Sequence, residues 1–432
     1  MQRFVDRYYS SLLLLLVAIA FLSRVYRVYI PEKYIFDEVY HVVTAKLIAH
    51  NDPRAYEWSA KSDEADTAID WLHPPGAKLL QAGSMVLFGE NSFAWRLSSV
   101  VFGTLIVLTI AWLAQALFSD KRLSLLSALF AASDGLLLVQ SRIAMNDIHA
   151  TFFMLQALLW YWRYRQTELH KYFFVAVLMA GCAVASKWSG IFSIGVIGVF
   201  EIVCWQKQHP LKPQIVRLLQ NGVLLLLFPS LIYLGSYGQM WLQGKSWDHF
   251  VSLHKQIWAY QTTLTATHPY QSAPWQWFLN LRPVWISVEY GSDTRADIYA
   301  FGNPALFFWG AVAVVLTVIL SVKHLRLWLT KKKLPKSALA ISFLFFSYLM
   351  VWVPWTLSPR VMFFYHYTPA VPLLCILLAY WVLLIPKFQR VFVICILASV
   401  VLAAVVWYPH WTQLPVANEF ANQVYFYFET WR

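Results

Sequence analysis

The chain has few charged residues and little polar surface to offer to water. Of its 432 residues only 13% are charged, whereas 59% are hydrophobic and 17% are aromatic. A soluble globular protein of this composition would have too few polar groups to cover its surface. The sequence therefore predicts an all-α polytopic membrane protein.

Cysteine is scarce and poorly placed for cross-links. The four residues Cys182, Cys204, Cys375 and Cys395 all lie inside apolar runs and far apart. This spacing matches neither a disulfide framework in exported loops nor a CxxC metal site. We expect no structural disulfide and no cysteine-ligated metal.

Nucleic-acid motifs are also missing, although the net charge is +12. The run DEAD at 63–66 resembles a helicase motif, but the chain has no phosphate-binding GxxxxGK[ST] loop to accompany it. No basic stripe has DNA- or RNA-binding patterning, and excess Lys and Arg is typical of cytoplasmic membrane loops. We expect no nucleic-acid partner.

Long apolar windows dominate what remains. Each is about 18–22 residues, enough to cross a hydrocarbon core of roughly 30 Å. About eleven spans are predicted, near 10–30, 94–117, 123–141, 147–164, 172–188, 190–206, 218–237, 301–321, 338–357, 366–385 and 391–408. The first is interpreted as a retained helix, because it lacks the small-residue cleavage site of a signal sequence.

Lys and Arg cluster in alternate loops, which places these loops and the N-terminus on the cytoplasmic side of the membrane. Two long outer segments result, residues 31–93 and 238–300, together with an outer C-terminal tail at 409–432. The first contains a half-length apolar run that fits an interfacial helix. The second is rich in Trp and Tyr, typical of a headgroup belt. We interpret residues 1–432 as one membrane domain with an outward-facing cavity.

One short stretch, FDEVYH at 36–41, places two adjacent carboxylates directly after the first span. It is followed in order by DWLHPPGAK (70–78), WRLSS (95–99), SRIAMNDIH (141–149), ASKWSG (185–190), FGNPALFFW (301–309) and SPRVMFFYHYTPAVP (358–372). In this order and spacing, on a chain with about eleven spans, the motifs resemble the protein O-mannosyltransferase family. The resemblance runs through nearly the whole chain.

The resemblance implies a C-type glycosyltransferase (GT-C) fold and an inverting reaction. Polyprenyl-phosphate-mannose would be the donor, and a Ser/Thr hydroxyl of an exported polypeptide the acceptor. Eukaryotic members carry a β-trefoil-type domain after the seventh span, and residues 238–300 are too few to hold one. A compact bacterial form is therefore expected, in the plasma (inner) membrane with its active site on the outer, periplasmic face.

The resemblance assigns Asp37 as the catalytic residue, with Glu38 as its neighbour. Transfer from a phosphate-linked donor needs a base near the attacking hydroxyl, and a carboxylate at the edge of a water-poor cavity has a raised pKa. Because neighbouring side chains diverge in an extended segment, Glu38 is expected to support the site or position the acceptor.

Cationic and polar groups at the outer span ends are candidates for binding the donor phosphate and substrate. They are His73, Lys78, Arg96, Arg142, Asp147, Lys187, Arg360 and His366. Charge inside a membrane domain is usually functional when it faces a cavity. The alternatives are that each cation snorkels to the interface, that His73 caps a turn, and that Asp147 only pairs with Arg142.

No HExxH or DxD signature is present, which favours a lipid-phosphate donor without an obligatory cofactor or metal. Carboxylates could still recruit a divalent ion. The expected partners are the lipid-linked donor, the acceptor polypeptide and the bilayer; the sequence leaves the oligomeric state open. Two other functions stay open: a lipid-carrier transferase acting on a lipid or glycan, such as aminoarabinose transfer to lipid A, and a membrane transporter.

Overall fold

The computed structural model describes residues 2–203, 211–331 and 336–432. Most of these residues are helical. The α-helices are, in order, α1 (Gln2–Val25), α2 (Glu38–Ala49), α3 (Gly76–Phe88), α4 (Ser92–Phe118), α5 (Lys121–Ala132), α6 (Gly135–Gln140), α7 (Asn146–Thr167), α8 (His170–Ser186), α9 (Ile191–Val203), α10 (Leu211–Ser236), α11 (Gly238–Leu242), α12 (Trp247–Thr263), α13 (Pro274–Trp277), α14 (Pro304–Lys331), α15 (Lys336–Trp352), α16 (Val371–Leu384), α17 (Arg390–Thr412) and α18 (Asn418–Phe420).

Each predicted span overlaps helical residues, and residues 204–206 of the window 190–206 lie outside the described ranges. Within the described ranges, seven are long and apolar enough to cross a membrane: Arg3–Val25, Ser92–Phe118, Gln214–Ser236, Pro304–Leu327, Ser337–Leu357, Phe364–Leu384 and Arg390–Thr412. Two shorter apolar helices, His170–Ser186 and Trp188–Val203, occupy two further windows. The remaining two windows correspond to α7, which carries charged residues, and to α5 and α6, which are separated at Ser133–Asp134. The membrane-helical fold is confirmed, and the number of eleven spans stays a prediction.

The membrane helices differ greatly in how much of their surface is buried against the rest of the protein. The apolar windows of α4 and of Phe364–Leu384 are 67% and 78% buried, whereas those of α1, α10 and α17 are only 11–17% buried. Apolar side chains that lack protein contacts are stable in lipid rather than in water. The first pair therefore forms the centre of the bundle, and the other three form its lipid-facing rim.

A close approach at Gly103 of α4 brings distant segments of the chain together. A Cβ at this position would lie 1.9 Å from the Ser141 Oγ, so only glycine allows the contact. The short segment between α6 and α7 is thereby held against α4. This packing brings residues 141–147 to the end of the bundle where the FDEVYH stretch lies.

The first outer segment contains α2 and α3, as the sequence predicted for interfacial helices. At the end of α3, Val86, Leu87 and Phe88 are more than half exposed. Such an apolar helix end suits a headgroup region.

The second outer segment contains a small sheet that the sequence did not predict. Strands β1 (Val284–Tyr290) and β2 (Thr294–Ala300) form an antiparallel hairpin, and β3 (Val416–Ala417) from the C-terminal tail pairs with β2. The strands VWISVEY and TRADIYA carry β-branched and aromatic residues typical of sheets. From the sequence, the aromatic residues of this segment are interpreted as a membrane belt. The all-α description therefore applies to the membrane body and not to this outer hairpin.

Candidate active site

Asp37 occupies a strained turn at the start of α2. The preceding residue, Phe36, has a φ of 51°, in the left-handed region that bulky residues rarely adopt. Its ring packs edge-on against Tyr365, with the ring centroids 5.6 Å apart. The contact supports the turn that places Asp37 at the start of α2.

The Asp37 carboxylate has no partner within the described part of the chain. Asp37 is the N-cap residue of α2, yet its side chain makes no capping hydrogen bond. A capping aspartate usually contributes about 0.5–2 kcal/mol to helix stability. Here that contribution is forgone, and the carboxylate stays available to a ligand.

Burial raises the pKa of the Asp37 carboxyl. His41 and Lys187 act in the opposite direction, while the negative charges of Asp147 and Asp70 reinforce the rise. A raised pKa makes a carboxylate a stronger base near neutral pH. Asp37 thus combines an unpaired carboxylate with the basicity that proton abstraction requires.

Glu38 has the opposite environment, which fits the expected supporting role and not the alternative of positioning the acceptor. Its side chain is fully buried and pairs with Arg96 through two contacts of 2.7 Å. The backbone N–H groups of Ile35 and Ala144 donate to its two oxygens. All of these contacts are internal, so Glu38 joins α2, α4 and the segment before α7 and cannot reach a substrate.

Arg96 is likewise not a phosphate ligand. Besides the two contacts with Glu38, it donates to the carbonyl oxygens of Val28, Pro31 and Lys33. A guanidinium has five N–H groups, and here all five are used. Arg96 secures the turn that presents Asp37.

Arg142 is also occupied by the protein. Its guanidinium donates to the carbonyl oxygens of Ser23, Arg24, Tyr26 and Arg27 around the end of α1. The last carbonyl oxygens of a helix have no partner within the helix. A cation there also interacts favourably with the negative end of the helix dipole. Arg142 therefore caps α1 and does not pair with Asp147, and most of its contacts are made within the protein.

Asp147 pairs instead with Lys187, forty positions further along the chain. The Lys187 Nζ lies 2.7 Å from one carboxylate oxygen of Asp147 and 2.9 Å from the other. The same ammonium lies 5.6 Å from the centre of the Tyr365 ring. Since it also acts electrostatically on Asp37, this pair borders the unpaired carboxylate.

Asp70, which we did not single out, organises a second part of the site. It accepts hydrogen bonds from the Nδ1 of His41 at 2.8 Å, the Nδ1 of His73 at 3.0 Å, and the Lys78 Nζ at 3.1 Å. Burial alone would raise the pKa of Asp70, but Lys78, His73 and His41 outweigh it and hold the pKa well below its usual range. Asp70 is therefore an anion that fixes two imidazole rings.

Lys78 serves this arrangement and is not free for phosphate. It is 2% exposed, and its ammonium also donates to the carbonyl oxygens of Asp70 and His73. Its three protons are thus all used within the protein. The signal for Asp70 was present in the sequence, because the DWLHPPGAK motif begins with it.

Three of these residues could in principle hold a metal. The ligand atoms of His41, Asp70 and His73 lie within 4.8 Å of one another. Both Asp70 oxygens already accept hydrogen bonds, one of them from the Lys78 ammonium, whose positive charge would repel a cation. The expectation of no obligatory metal stays a prediction.

Arg360 is a predicted cation with a buried donor that has no partner among the described residues. It donates to the Oε1 of Gln261, but its Nε is buried without a partner. His366, also predicted, is 2% exposed and stacked on Tyr365, with its Nδ1 3.0 Å from the carbonyl oxygen of Phe363. A buried donor without a partner is costly, and an anionic ligand would satisfy it.

Two family models match the chain. Residues 71–238 match the model described as dolichyl-phosphate-mannose-protein mannosyltransferase. Residues 246–429 match the C-terminal four TMM region of protein-O-mannosyltransferase. Together the two matches include most of the chain, although Asp37 precedes both.

Curated bacterial proteins are similar over most of their length. The polyprenol-phosphate-mannose–protein mannosyltransferase of Corynebacterium glutamicum is 26% identical over 380 residues, which cover 71% of this chain and 69% of the relative. The protein of the same name from Mycolicibacterium smegmatis is 23% identical, covering 92% of this chain and 87% of the relative.

Solved structures show the same fold. A Saccharomyces cerevisiae protein O-mannosyltransferase complex bound to the sugar donor superposes with a TM-score of 0.81 at 14% identity, covering 96% of this chain and 91% of that chain. ArnT from Cupriavidus metallidurans, bound to undecaprenyl phosphate, gives a TM-score of 0.59 at 12% identity, covering 94% of this chain and 76% of that chain.

Proposed function

This chain belongs to the protein O-mannosyltransferase family, and from that premise we propose that it transfers mannose from polyprenyl-phosphate-mannose to Ser/Thr hydroxyls of polypeptides, with Asp37 as the base. It is a membrane-embedded glycosyltransferase, so the transporter alternative is set aside. The observation that carries the proposal is the unpaired Asp37 carboxylate with its raised pKa.

The reaction requires one bond to form as another breaks. The acceptor oxygen attacks the anomeric carbon, its proton passes to the Asp37 carboxylate, and the bond between that carbon and the phosphate oxygen breaks. Attack from the side opposite the phosphate inverts the anomeric configuration. Proton transfer to a positioned base typically contributes about 10²–10⁴-fold to the rate.

The leaving group gains a negative charge as the bond breaks, because a phosphodiester becomes a phosphomonoester. Cations placed where this charge develops stabilise the transition state more than the ground state. The open Nε of Arg360 supports this role for Arg360. Lys187 contributes less net charge, since Asp147 neutralises it.

We assign the enzyme to the plasma (inner) membrane of a bacterium, with the site on the outer face. The distribution of Lys and Arg supports this orientation, and the named relatives are bacterial. Asp63→Cys, in the first outer segment, should react with an impermeant thiol reagent in intact cells, whereas Lys171→Cys at the start of α8 should not. Both side chains are exposed, so accessibility within the protein is matched. The reverse labelling would contradict the orientation.

Transfer itself is tested with purified protein in nanodiscs. The assay supplies mannosyl polyprenyl phosphate and a Ser/Thr peptide, with a matched peptide in which Ser and Thr are replaced by Ala. We expect mannose only on the first peptide, with the anomeric configuration opposite to that of the donor, measured by NMR. Mannose on lipid but not on peptide would favour the lipid-acceptor alternative, and retention of configuration would exclude direct displacement.

A further inference from the structure

Asp70 holds two imidazole rings in the same way, and each keeps its other nitrogen open. The Nδ1 atoms of His41 and His73 donate to different oxygens of Asp70, and the rings lie 5.4 Å apart at 80°. A neutral imidazole that donates from Nδ1 carries a lone pair on Nε2. Neither Nε2 has a hydrogen-bond partner among the residues that the structure describes.

A third open acceptor lies beside them. Asn146, at the start of α7, has its Nδ2 3.5 Å from the His41 Nδ1, and its Oδ1 is buried without a partner. His41 is 4% exposed and Asn146 is 1% exposed. Leaving a buried polar atom unpaired costs about 1–3 kcal/mol, and a ligand with a matching group would remove that cost.

An imidazole Nε2 that carries no proton accepts a hydrogen bond, and the Asn146 amide can accept through Oδ1 or donate through Nδ2. Phosphate and carboxylate ligands offer no donors to them, whereas a neutral polyol offers several hydroxyl donors from one small molecule. Burial lowers the pKa of His73, so its lone pair stays available at neutral pH. A divalent cation also binds acceptors, but here it would lie next to the Lys78 ammonium.

The two imidazoles lie near Asp37, the proposed base. Direct displacement requires the transferred sugar to lie near this base. His41 follows Asp37 by one helical turn, so both project from one face of α2. The Lys187 ammonium acts electrostatically on both Asp37 and His73, so the imidazoles, the base and this cation lie close together. The transferred sugar must lie between the acceptor, at the base, and the phosphate, at the cations.

We propose that His41, His73 and Asn146 form the subsite that binds the hydroxyl groups of the transferred sugar, oriented by Asp70 and Lys78. This rests on the proposed function, because it takes the donor to be a sugar on a lipid phosphate. The subsite distinguishes the sugar-bearing donor from the bare lipid phosphate that remains after transfer.

Two substitutions at His73 separate its two nitrogens. Asparagine can replace the Nδ1 contact to Asp70 but leaves nothing at the Nε2 position. Glutamine reaches the Nε2 position with its amide oxygen. The experiment measures binding of mannosyl polyprenyl phosphate and of sugar-free polyprenyl phosphate to wild type, His73→Asn and His73→Gln in nanodiscs, without acceptor and with EDTA.

His73→Asn should weaken binding of the mannosyl donor by roughly 3–10-fold, the effect of one lost hydrogen bond. Binding of the sugar-free lipid phosphate should stay within about twofold of wild type, and His73→Gln should restore much of the lost affinity. Equal losses for both ligands, or no loss for either, would overturn the proposal. So would a donor affinity that EDTA abolishes and added Zn²⁺ restores, since the three residues would then bind metal.

The binding assay needs no turnover and therefore separates the two proposals. If the donor binds as described but no peptide is mannosylated, the proposed acceptor is wrong and the sugar subsite stands. If peptide is mannosylated while His73→Asn binds both lipids normally, the sugar subsite is wrong and the proposed function stands.

Discussion

Two groups of charged and polar side chains lie at the same end of the bundle, and they differ in how completely the protein satisfies them. In the closed group, Glu38 and Arg96 use all of their hydrogen-bonding atoms on the protein itself, and Arg142 makes four contacts with backbone carbonyl oxygens. The open group, Asp37, Arg360, His41 and His73, retains atoms without partners in the described ranges. Apart from His41, the residues of both groups are candidate site residues from the sequence. A charged side chain is structural when its hydrogen-bonding atoms already have protein partners, and it is available to substrate when some of them do not. Charge and burial alone do not make this distinction.

The closed group explains how the open one is maintained. Asp37 is held in a strained turn without a capping bond, which is unfavourable by itself. The adjacent Glu38 makes two ion-pair contacts and accepts two backbone hydrogen bonds. The fold thus fixes one carboxylate completely, and the neighbouring carboxylate is left free for chemistry.

The largest stability effect is expected from breaking the closed group. Glu38→Gln leaves the Arg96 guanidinium buried without its counter-ion, and removing one partner of a buried pair typically costs about 3–5 kcal/mol. Thermal unfolding followed by tryptophan fluorescence should show a large loss. Glu64→Gln is the control, because the Glu64–Lys46 pair is solvent-exposed and such pairs contribute about 0–1 kcal/mol. Similar stability of the two variants would contradict the structural role of Glu38.

Arginines from the two groups should give different responses. Arg360→Ala removes an open donor and should weaken binding of polyprenyl phosphate by about 10–100-fold, since a charge-assisted contact contributes roughly 1.5–3 kcal/mol. Its thermal stability should change little. Arg142→Ala exposes the end of α1 and should lower stability, while the folded protein keeps its affinity. The comparison fails if Arg142→Ala selectively loses lipid-phosphate binding.

A smaller effect concerns the stability contribution of Asp37. Burial raises its pKa above the unfolded value, so the folded state binds the proton more tightly and stability falls as pH rises from the unfolded to the folded pKa. Asp37→Asn removes this penalty. We expect the variant to be at least as stable as wild type at neutral pH, with the difference shrinking towards about pH 4. A variant less stable than wild type at neutral pH would indicate an ionic partner for Asp37.

The sequence motifs lie near the ends of helices. Asp37, His73, Lys187 and Arg360 could be selected from the sequence because cations and carboxylates beside apolar runs face either a cavity or the interface. The pairing of Asp147 with Lys187 could not, since it requires knowing which helix ends meet.

For the same reason, the sequence could not show which charged side chains already have hydrogen-bond partners within the protein. The partners of Arg142 are carbonyl oxygens of residues 23–27, more than a hundred positions earlier, and every residue has a carbonyl. The outer hairpin was missed for another reason: its tryptophans and tyrosines suit a membrane belt and a strand equally well.

The central claim is that Asp37 acts as the catalytic base and that Glu38 stabilises the fold. It is tested most directly by measuring the mannosyl transfer rate and the thermal stability of Asp37→Asn and Glu38→Gln on the same preparations, with Asp66→Asn as control. Asp66 is an exposed carboxylate of the same outer segment, at a φ of 56° that asparagine tolerates.

Asp37→Asn should lose about 10²–10⁴-fold in transfer rate with wild-type stability. Glu38→Gln should be less stable than wild type, but its transfer rate per folded molecule should be much higher than that of Asp37→Asn. Asp66→Asn should match wild type in transfer rate and in thermal stability. An Asp37→Asn enzyme within about threefold of the wild-type rate would contradict the assignment of the base. A stable but inactive Glu38→Gln enzyme would exchange the two roles.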